Sequence, residues 1–270
     1  MANGQERKLR LIVCVKQVVD LDQVRMDRET REPILTDVPW VIGQLEKNAL
    51  EEAARIKEKH QAEVVALSAG WPLSEEVVLE CLARGADRAA TLSDPGFESV
   101  SSPAMAMILA RAIEKIGSYD LILVGEGATD NNSGQMGPAL AQILGLPLVA
   151  YARQLKISDE KVRATRSLED CFETVEVPLP LVVTVTAEIN EPRIPSIIDV
   201  MDASAKPHDK WGLADIGFSP EELRSYAPVK TLKNQYPEQV RKNIMLKEES
   251  LDKSIDLLVQ NLMKEGVLNI

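Results

Sequence analysis

The chain has 270 residues, enough for one large domain or two modest ones with a sizeable core. Its 31 basic and 42 acidic residues leave a formal charge of −11, which argues against a general nucleic-acid or anionic-membrane surface, because those are held by basic patches. The three cysteines, Cys14, Cys81 and Cys171, lie far apart without C-x-x-C spacing, and with only His60 and His208 as nitrogen ligands they argue against a disulfide framework and a zinc site.

The polar start, MANGQERKLR, is followed only by LIVCV, far short of a signal segment or of the ~20 apolar residues of a membrane span. A soluble, cytoplasmic protein without direct membrane insertion is expected. Leu9 to Val15 is a continuous β-favouring run, the pattern of a strand buried on both faces, so a parallel sheet is the first expectation. After a long connection over residues 16–44, Leu45, Ala49, Ala53 and Ile56 recur at helical spacing and EVVALSAG follows as a second strand, which together make a βαβ unit. Ser74 caps a second helix with Val78, Cys81 and Leu82 on its apolar face and Gly85 at its stop, and AATLS is a third strand. Ser102 and Pro103 open a third helix striped by Met105, Ile108, Leu109, Ala112 and Ile116 and ended by Gly117, and DLILV is a fourth strand.

Beyond Gly145 the period changes to two in QLKIS, KVRATR, FETVEV and LVVTVT, with Asp159-Glu160 as a turn. These segments predict an antiparallel extension at the edge of the parallel sheet. From Asp202 to about Met245 the chain is polar, holds four prolines and lacks a period, so an extended arm is expected. Leu251, Ile255, Leu258 and Leu262 then restore a helical stripe, placed either on the chain's own domain or on a partner. The fold class is α/β: a doubly wound, mainly parallel, Rossmann-like sheet with an antiparallel extension and a C-terminal arm ending in a helix. The division is expected to run 1–201 for the α/β domain and 202–270 for the arm.

Alternating strands and helices put ligand sites at the carboxyl edge of the sheet. Four such places stand out: Cys14-Val15-Lys16, residues 37–46, Ser68-Ala69-Gly70, and GEGATDNNSGQMGP at 125–138. The last is the richest. Gly125 and Gly127 allow close backbone approach, Thr129, Asn131, Asn132 and Ser133 offer side-chain hydrogen bonds, and the N–H groups near Gln135 open a helix toward an anion. The spacing is neither G-x-G-x-x-G nor a P-loop, and Gly and Asn are also ordinary turn residues, so a phosphate cradle and a solvated structural loop both stay open. Glu126 and Asp130 would repel a phosphate unless they face away from it or hydrogen-bond the sugar.

AEINEPRIPSIIDVM (187–201) carries two prolines, which disfavour helix, and offers Ile194, Ile197 and Ile198 as exposed apolar contacts. The alternative is a core-facing turn whose Arg193 pairs with Glu188 or Glu191. No Ser-His-Asp, Cys-His or paired-carboxylate arrangement stands out, so no catalytic residue is assigned.

Five motifs in order, VCVKQVVD (13–20), ALEEAARIKE (49–58), LARGADRA (82–89), DLILVGEGATDNNSGQMGP (120–138) and VTAEINEPRIPS (185–196), resemble the β subunit of electron transfer flavoproteins. The resemblance implies a carrier subunit without independent turnover, paired with a larger α subunit that holds an FAD, and itself binding an adenine nucleotide. That nucleotide is AMP in simple carriers. In electron-bifurcating relatives it is the adenylate end of a second FAD that takes a hydride from NADH. Electrons then pass between dehydrogenases and a quinone or a ferredoxin- or flavodoxin-type acceptor.

Carried over by position, the adenylate contacts are Cys14, the Gly43, Gln44, Leu45 and Glu46 turn, Ala69, and the loop Gly125, Glu126, Gly127, Ala128, Thr129, Asp130, Asn131, Asn132, Ser133, Gly134, Gln135 and Met136. The partner-recognition loop is Asn190, Glu191, Pro192, Arg193, Ile194, Pro195, Ser196 and Ile197, and the arm from 202 reaches over the α subunit. Three departures are visible. Glu126 and Gly127 stand where a basic residue and Gln are common, as in the branch linked to membrane quinone reduction and nitrogen fixation, which the KWGLADIG segment also resembles. N-P-x-D is replaced by Gly43, Gln44, Leu45 and Glu46, so backbone contacts alone are carried over there. The lysine run after the recognition loop is reduced to Lys206. Two rival functions remain: a stand-alone ATP- or AMP-binding regulatory domain, and an adenylyl-transferring enzyme, which lacks a basic catalytic cluster.

Overall fold

The structure, a computed structural model, describes residues 8–158, 160–226, 232–235 and 242–268. It divides into two units, one of residues 1–25 and 34–234, the other of residues 26–33 and 235–270.

In the first unit, β1 (Leu9–Val15) is the central strand. Its side chains alternate between two cores: Leu11, Val13 and Val15 on one face of the sheet, Ile12 and Cys14 on the other. That double burial is why the run is apolar without alternation. The long connection is not structureless. β2 (Gln17–Val19) pairs antiparallel with β5 (Trp40–Ile42), and between them in sequence β3 (Arg25–Met26) and β4 (Pro33–Ile34), which pair with each other, bound the 26–33 stretch of the second unit. Helix α1 (Gln44–Lys59) buries Ala49, Leu50, Ala53 and Ile56, as the stripe requires, but also the polar Glu46, Asn48, Glu51 and Glu52.

β6 (Ala62–Ala69), α2 (Glu75–Ala83) and β7 (Arg88–Leu92) extend the sheet to one side of β1. α3 (Ser102–Ile116) crosses the other face and leads to β8 (Leu121–Gly125), which lies on the opposite side of β1 from β6. The cap of α3 is Ser101; Ser102, expected as the cap, is already helical. α4 (Met136–Leu144) follows the loop and ends at Gly145 in the left-handed region. α1 and α2 pack in one core with Leu11 and Val13, while α3 and α4 pack in the other with Ile12. This is the doubly wound arrangement that the strand and helix alternation predicted.

β9 (Leu148–Ser158), β10 (Lys161–Ser167) and β11 (Phe172–Pro178) form the expected antiparallel extension, their exposed residues alternating with buried ones along β9. β12 (Leu181–Val185) is a correction. It lies between β8 and β9, parallel to both, and every residue is buried, so LVVTV is an interior strand of the main sheet. Of the expected Asp159-Glu160 turn, Asp159 lies outside the described residues, and Glu160 adopts a left-handed φ of 62°.

The segment after 201 is a second correction. α5 (Ile197–Ala203) starts just after Pro195, where the prolines pointed away from helix; Ser196 and Asp199 close a capping box around its first turn. β13 (His208–Trp211) then pairs parallel with β7 as the last strand of a nine-stranded sheet ordered β11-β10-β9-β12-β8-β1-β6-β7-β13 among the described residues. Lys206 Nζ donates to the carbonyls of Leu82 and Ala86, and Arg88 pairs with Asp209 at 2.5 Å. Phe218 is buried beneath Arg111, whose guanidinium stands 4.7 Å above the ring, and α6 (Pro220–Ser225) follows. Residues 202–225, expected in the arm, therefore belong to the main unit, and the division expected at 201 falls between 234 and 235.

In the second unit, α7 (Leu251–Lys264) begins at Ser250, whose hydroxyl accepts from the Lys253 N–H at 3.3 Å. Gly266 in the left-handed region follows its end. The predicted helix is thus present, and none of its residues is buried. Among the described residues no helix is long and apolar enough to cross a membrane.

Candidate functional site

The order in which strands are added reverses between β1 and β8, which are parallel: successive strands β6 and β7 build outward on one side, and β8 and β12 on the other. At such a switch point the chain leaves the two strand ends in opposite directions and opens a crevice. A cavity of about 400 Å³ lies there, lined from Cys14 and Val15 at the end of β1, Ala69 at the end of β6, Val124 and Gly125 at the end of β8, and Glu46 in the first turn of α1.

Of the residues expected to hold a nucleotide, Cys14, Glu46, Ala69, Gly125, Glu126, Gly127, Ala128, Asp130, Asn131, Ser133, Gly134, Gln135 and Met136 line this cavity. Gly43, Gln44, Leu45, Thr129 and Asn132 do not, and two of them shape its wall from behind. A Cβ on Gly125 would stand 2.9 Å from the Leu45 Cβ, so the turn before α1 seats directly under the end of β8. A Cβ on Gly127 would stand 2.2 Å from Asn132 Oδ1, so the loop closes over that glycine. The loop is further folded by Asn132 N–H donating to the Ala128 carbonyl at 2.7 Å, with Asn132 and Gly134 both at positive φ, and is tied to the sheet by Glu126 N–H donating to the Val185 carbonyl at 3.0 Å.

The charge conflict at this loop has a local resolution. Lys16 Nζ bridges both carboxylate oxygens of Asp130, at 2.8 and 2.6 Å, and is the one cationic side chain of the cavity lining among the described residues. Glu126 is pushed up by burial and by neighbouring Glu188, which favours its neutral form. Glu46 is only 4% exposed and burial pushes it up to about 7, while its own backbone N–H and Lys16 pull the other way. Burial also lifts the Cys14 thiol to about 12, so Cys14 is a neutral wall and not a nucleophile.

The lining divides chemically. Loop residues and Lys16 make a polar side, and Trp71, Phe97, Val100, Met105 and Leu109 make an apolar one. Sequence reading missed this second side. Gly70-Trp71 directly follows a strand end, a signal that was available. Met105 and Leu109 belong to the α3 core stripe and also line the cavity. Phe97 lies in a short 3-10 turn (Pro95–Ser99) that carries no period.

The expected recognition loop lies against α1. Asn48 Nδ2 donates to the carbonyls of Ala187 (3.2 Å) and Asn190 (2.8 Å), and Asn190 Nδ2 returns to the Asn48 carbonyl (3.0 Å) and Glu52 (3.1 Å). Arg193 pairs with Glu51 at 2.7 Å and Glu58 at 2.5 Å, instead of the expected Glu188 or Glu191. Burial alone would raise Glu51, but hydrogen bonds from Arg193 and Arg55 outweigh it and hold the carboxylate below its ordinary range. Arg55 and Arg84 donate to the Glu191 and Arg193 carbonyls at 3.2 and 2.7 Å. The backbone of the loop is thus pinned, while Ile194 is 92% exposed, Ile197 80%, and Ile198, Val200 and Met201 are exposed beside them. Pinned backbone beneath bare aliphatic side chains contradicts a core-facing turn and leaves these side chains free on the surface.

Residues 34–216 match the family described as Electron transfer flavoprotein domain. The chain is 40% identical over 214 residues to the Caffeyl-CoA reductase-Etf complex subunit CarD of Acetobacterium woodii, covering 79% of this chain and 82% of that one. It is 40% identical over 207 residues to the electron transfer flavoprotein subunit beta of Thermoanaerobacterium thermosaccharolyticum, covering 77% and 79%. This chain belongs to the electron transfer flavoprotein beta-subunit family. With the subunit of Megasphaera elsdenii, similarity runs over 270 residues at 30% identity, covering 96% and 100%, so the beta-subunit likeness extends through the second unit.

For a beta subunit the two surfaces are economically placed. The cavity and the apolar patch both rest on α1, the first at its start through Glu46, the second along its length through Asn48, Glu51, Glu52, Arg55 and Glu58.

Proposed function

We propose that this beta subunit holds the adenylate part of an FAD in the switch-point cavity, in a heterodimer with an electron transfer flavoprotein alpha subunit that carries a second FAD. The observation that carries the reading is the two-sided lining: a glycine-closed polar loop with one cation opposite an aromatic and aliphatic wall. A nucleotide needs both, the first for its phosphate and the second for its base. The fit is supported by the loop itself, since Leu45 and Asn132 pack against Gly125 and Gly127 from behind too closely for side chains, which holds the loop backbone at the cavity edge. Glu126 and Gly127 in place of a basic residue and Gln favour the bifurcating branch, and similarity to a subunit named for a reductase–Etf complex agrees with it.

FAD supplies hydride acceptance and single-electron transfer when bound. The chain's own residues bind and orient. Lys16 neutralises Asp130 so that the first turn of α4 is left to offset phosphate charge, Trp71, Phe97 and Leu109 exclude water from the base, and the neutral Cys14 thiol adds no competing nucleophile. NADH is the electron donor in this reading, and a quinone or a ferredoxin- or flavodoxin-type protein the acceptor. Dehydrogenases dock on Ile194 and Ile197. A simple carrier with AMP in the same cavity is the second reading, favoured by the cavity's size of about 400 Å³, which suits an adenylate.

The test is the nucleotide content of the co-expressed heterodimer after denaturation. Two flavins per heterodimer support the bifurcating reading, one flavin with AMP supports the simple carrier, and an ATP-binding monomer without flavin overturns both.

A further inference from the structure

The exposed aliphatic surface on α5 carries a charge pattern of its own. The buried position of the helix is Ala203, and at about 100° per residue Ile197, Ile198 and Met201 project from the opposite side. With Val200, and with Ile194 on the loop before the helix, they make five exposed apolar side chains. Asp199 and Asp202, three residues apart, line one flank of that stripe.

The cations of this segment face inward. Arg193 is held between Glu51 and Glu58, and Lys206 donates to the carbonyls of Leu82 and Ala86. Arg55 and Arg84, beneath the loop, pair with Glu51 and Glu80 and direct further N–H groups to the loop carbonyls. The acids face outward. Hydrogen bonds from the Ser196 hydroxyl and N–H hold Asp199 below the ordinary carboxylate range, so it stays charged. Asp202 and Glu191 are exposed, and among the described residues neither carboxylate has an ion-pair or hydrogen-bond partner. Arg193 and Lys206 could reach these acids only by giving up the bonds that tie the segment to α1 and to the end of α2.

An apolar patch supplies affinity, while its charged border selects among partners. A partner with an acidic border would bring like charges together here, and one with lysines or arginines would pair them. We propose that this surface selects a partner protein whose apolar socket is bordered by basic residues, with Ile194, Ile197, Ile198 and Met201 entering the socket and Glu191, Asp199 and Asp202 meeting its border. The inference rests on the docking reading of Ile194 and Ile197 and adds the chemistry of the occupant, which that reading leaves open.

The test uses the full heterodimer and two fluorescein-labelled helical peptides of about 18 residues as probes, one of leucine and lysine and one of leucine and glutamate with the same apolar face, followed by anisotropy. At low salt the leucine–lysine peptide is expected to bind at least about tenfold more tightly than the leucine–glutamate peptide, with the difference shrinking to about twofold near about 0.5 M salt. Glu191→Lys with Asp202→Lys is expected to cut that preference about tenfold. Glu169→Lys with Asp170→Lys, an equal change of charge at exposed residues of the β10–β11 turn, is expected to leave it within about twofold. A preference that survives the first pair, or that the second pair removes equally, overturns the proposal, as does tighter binding of the leucine–glutamate peptide. Ile197→Ser with Met201→Ser tests the underlying reading separately: it is expected to weaken both peptides about tenfold, and if both bind unchanged the docking reading itself fails. Pairing of wild-type heterodimers with each other, seen as a sedimentation coefficient that the same serine variant lowers, would make a second copy the occupant and overturn the proposal.

Discussion

Gly137, the second residue of α4, is where the loop's fold and the sheet's packing meet. A Cβ there would stand 2.1 Å from Thr184 Cγ2, where ordinary contact begins at 3.4 Å. Thr184 lies in β12, is buried, and its Oγ1 accepts from the Tyr151 N–H at 3.0 Å, so rotating it away loses a hydrogen bond worth about 1 kcal/mol. Overpacking adds roughly 1–3 kcal/mol, and the helix preference of Ala over Gly returns about 1 kcal/mol. Gly137→Ala is therefore expected to destabilise the chain by about 1–3 kcal/mol, although helix propensity alone predicts the opposite sign. Urea unfolding of the single variant, of Thr184→Ser and of the pair measures it, with an unchanged m-value as control. Serine lacks the clashing methyl, so the double variant should be more stable than the sum of the singles by about 1 kcal/mol or more. A stabilised Gly137→Ala, or strict additivity, would refute the reasoning.

Asn48→Ala leaves the carbonyls of Ala187 and Asn190 short of a donor, and is expected to cost about 1–3 kcal/mol and to speed amide exchange at 187–193 without affecting β10. Glu46 gives a pH test in the absence of nucleotide. Burial makes it a weaker acid folded than unfolded, so between pH 4.5 and about 7 the folded chain keeps a proton that the unfolded chain has released. Stability should fall as pH rises through that window, by about 3 kcal/mol, and level off above it; Glu46→Gln should flatten the profile, and a wild-type profile that rises would contradict the burial effect. Ile197→Asp should leave the unfolding free energy within about 0.5 kcal/mol of wild type, because the side chain is exposed, yet raise the apparent KM for a partner dehydrogenase at unchanged flavin content.

The parallel core was legible because both-face burial imposes unbroken apolar runs, as in Leu9–Val15, and the helices around it because one-sided burial imposes a 3.6-residue stripe. LVVTV was misplaced for the same reason in reverse. A five-residue β-branched run carries no mark of strand direction, and its alternation with Thr184 imitates a half-exposed strand although Thr184 is buried on Tyr151 N–H. β13 was invisible because HDKW is an edge strand with three polar residues and one apolar one, held by Arg88, by pairing with β7 and by Trp211 against the core, which leaves no period to read. The polar half of the cavity could be read from loop chemistry. Its apolar half was hidden in residues that look like ordinary core, and the partners of Arg193 were hidden because Glu51 and Glu58 are distant in sequence and meet it only after α1 has folded.

Because α1 carries the cavity floor at one end and the anchors of the exposed loop further along, its length is a gauge. Glu46 and Glu58 are about 18 Å apart along the axis, and one residue inserted between them would turn the far half by about 100°. Glu51, Asn48 and Glu58 would then point away from Arg193 and Asn190 while Glu46 stayed put. Insertions and deletions acquired by this lineage should therefore gather in the β10–β11 turn and beyond residue 234, and spare 44–59, where a single-codon change strikes two surfaces at once.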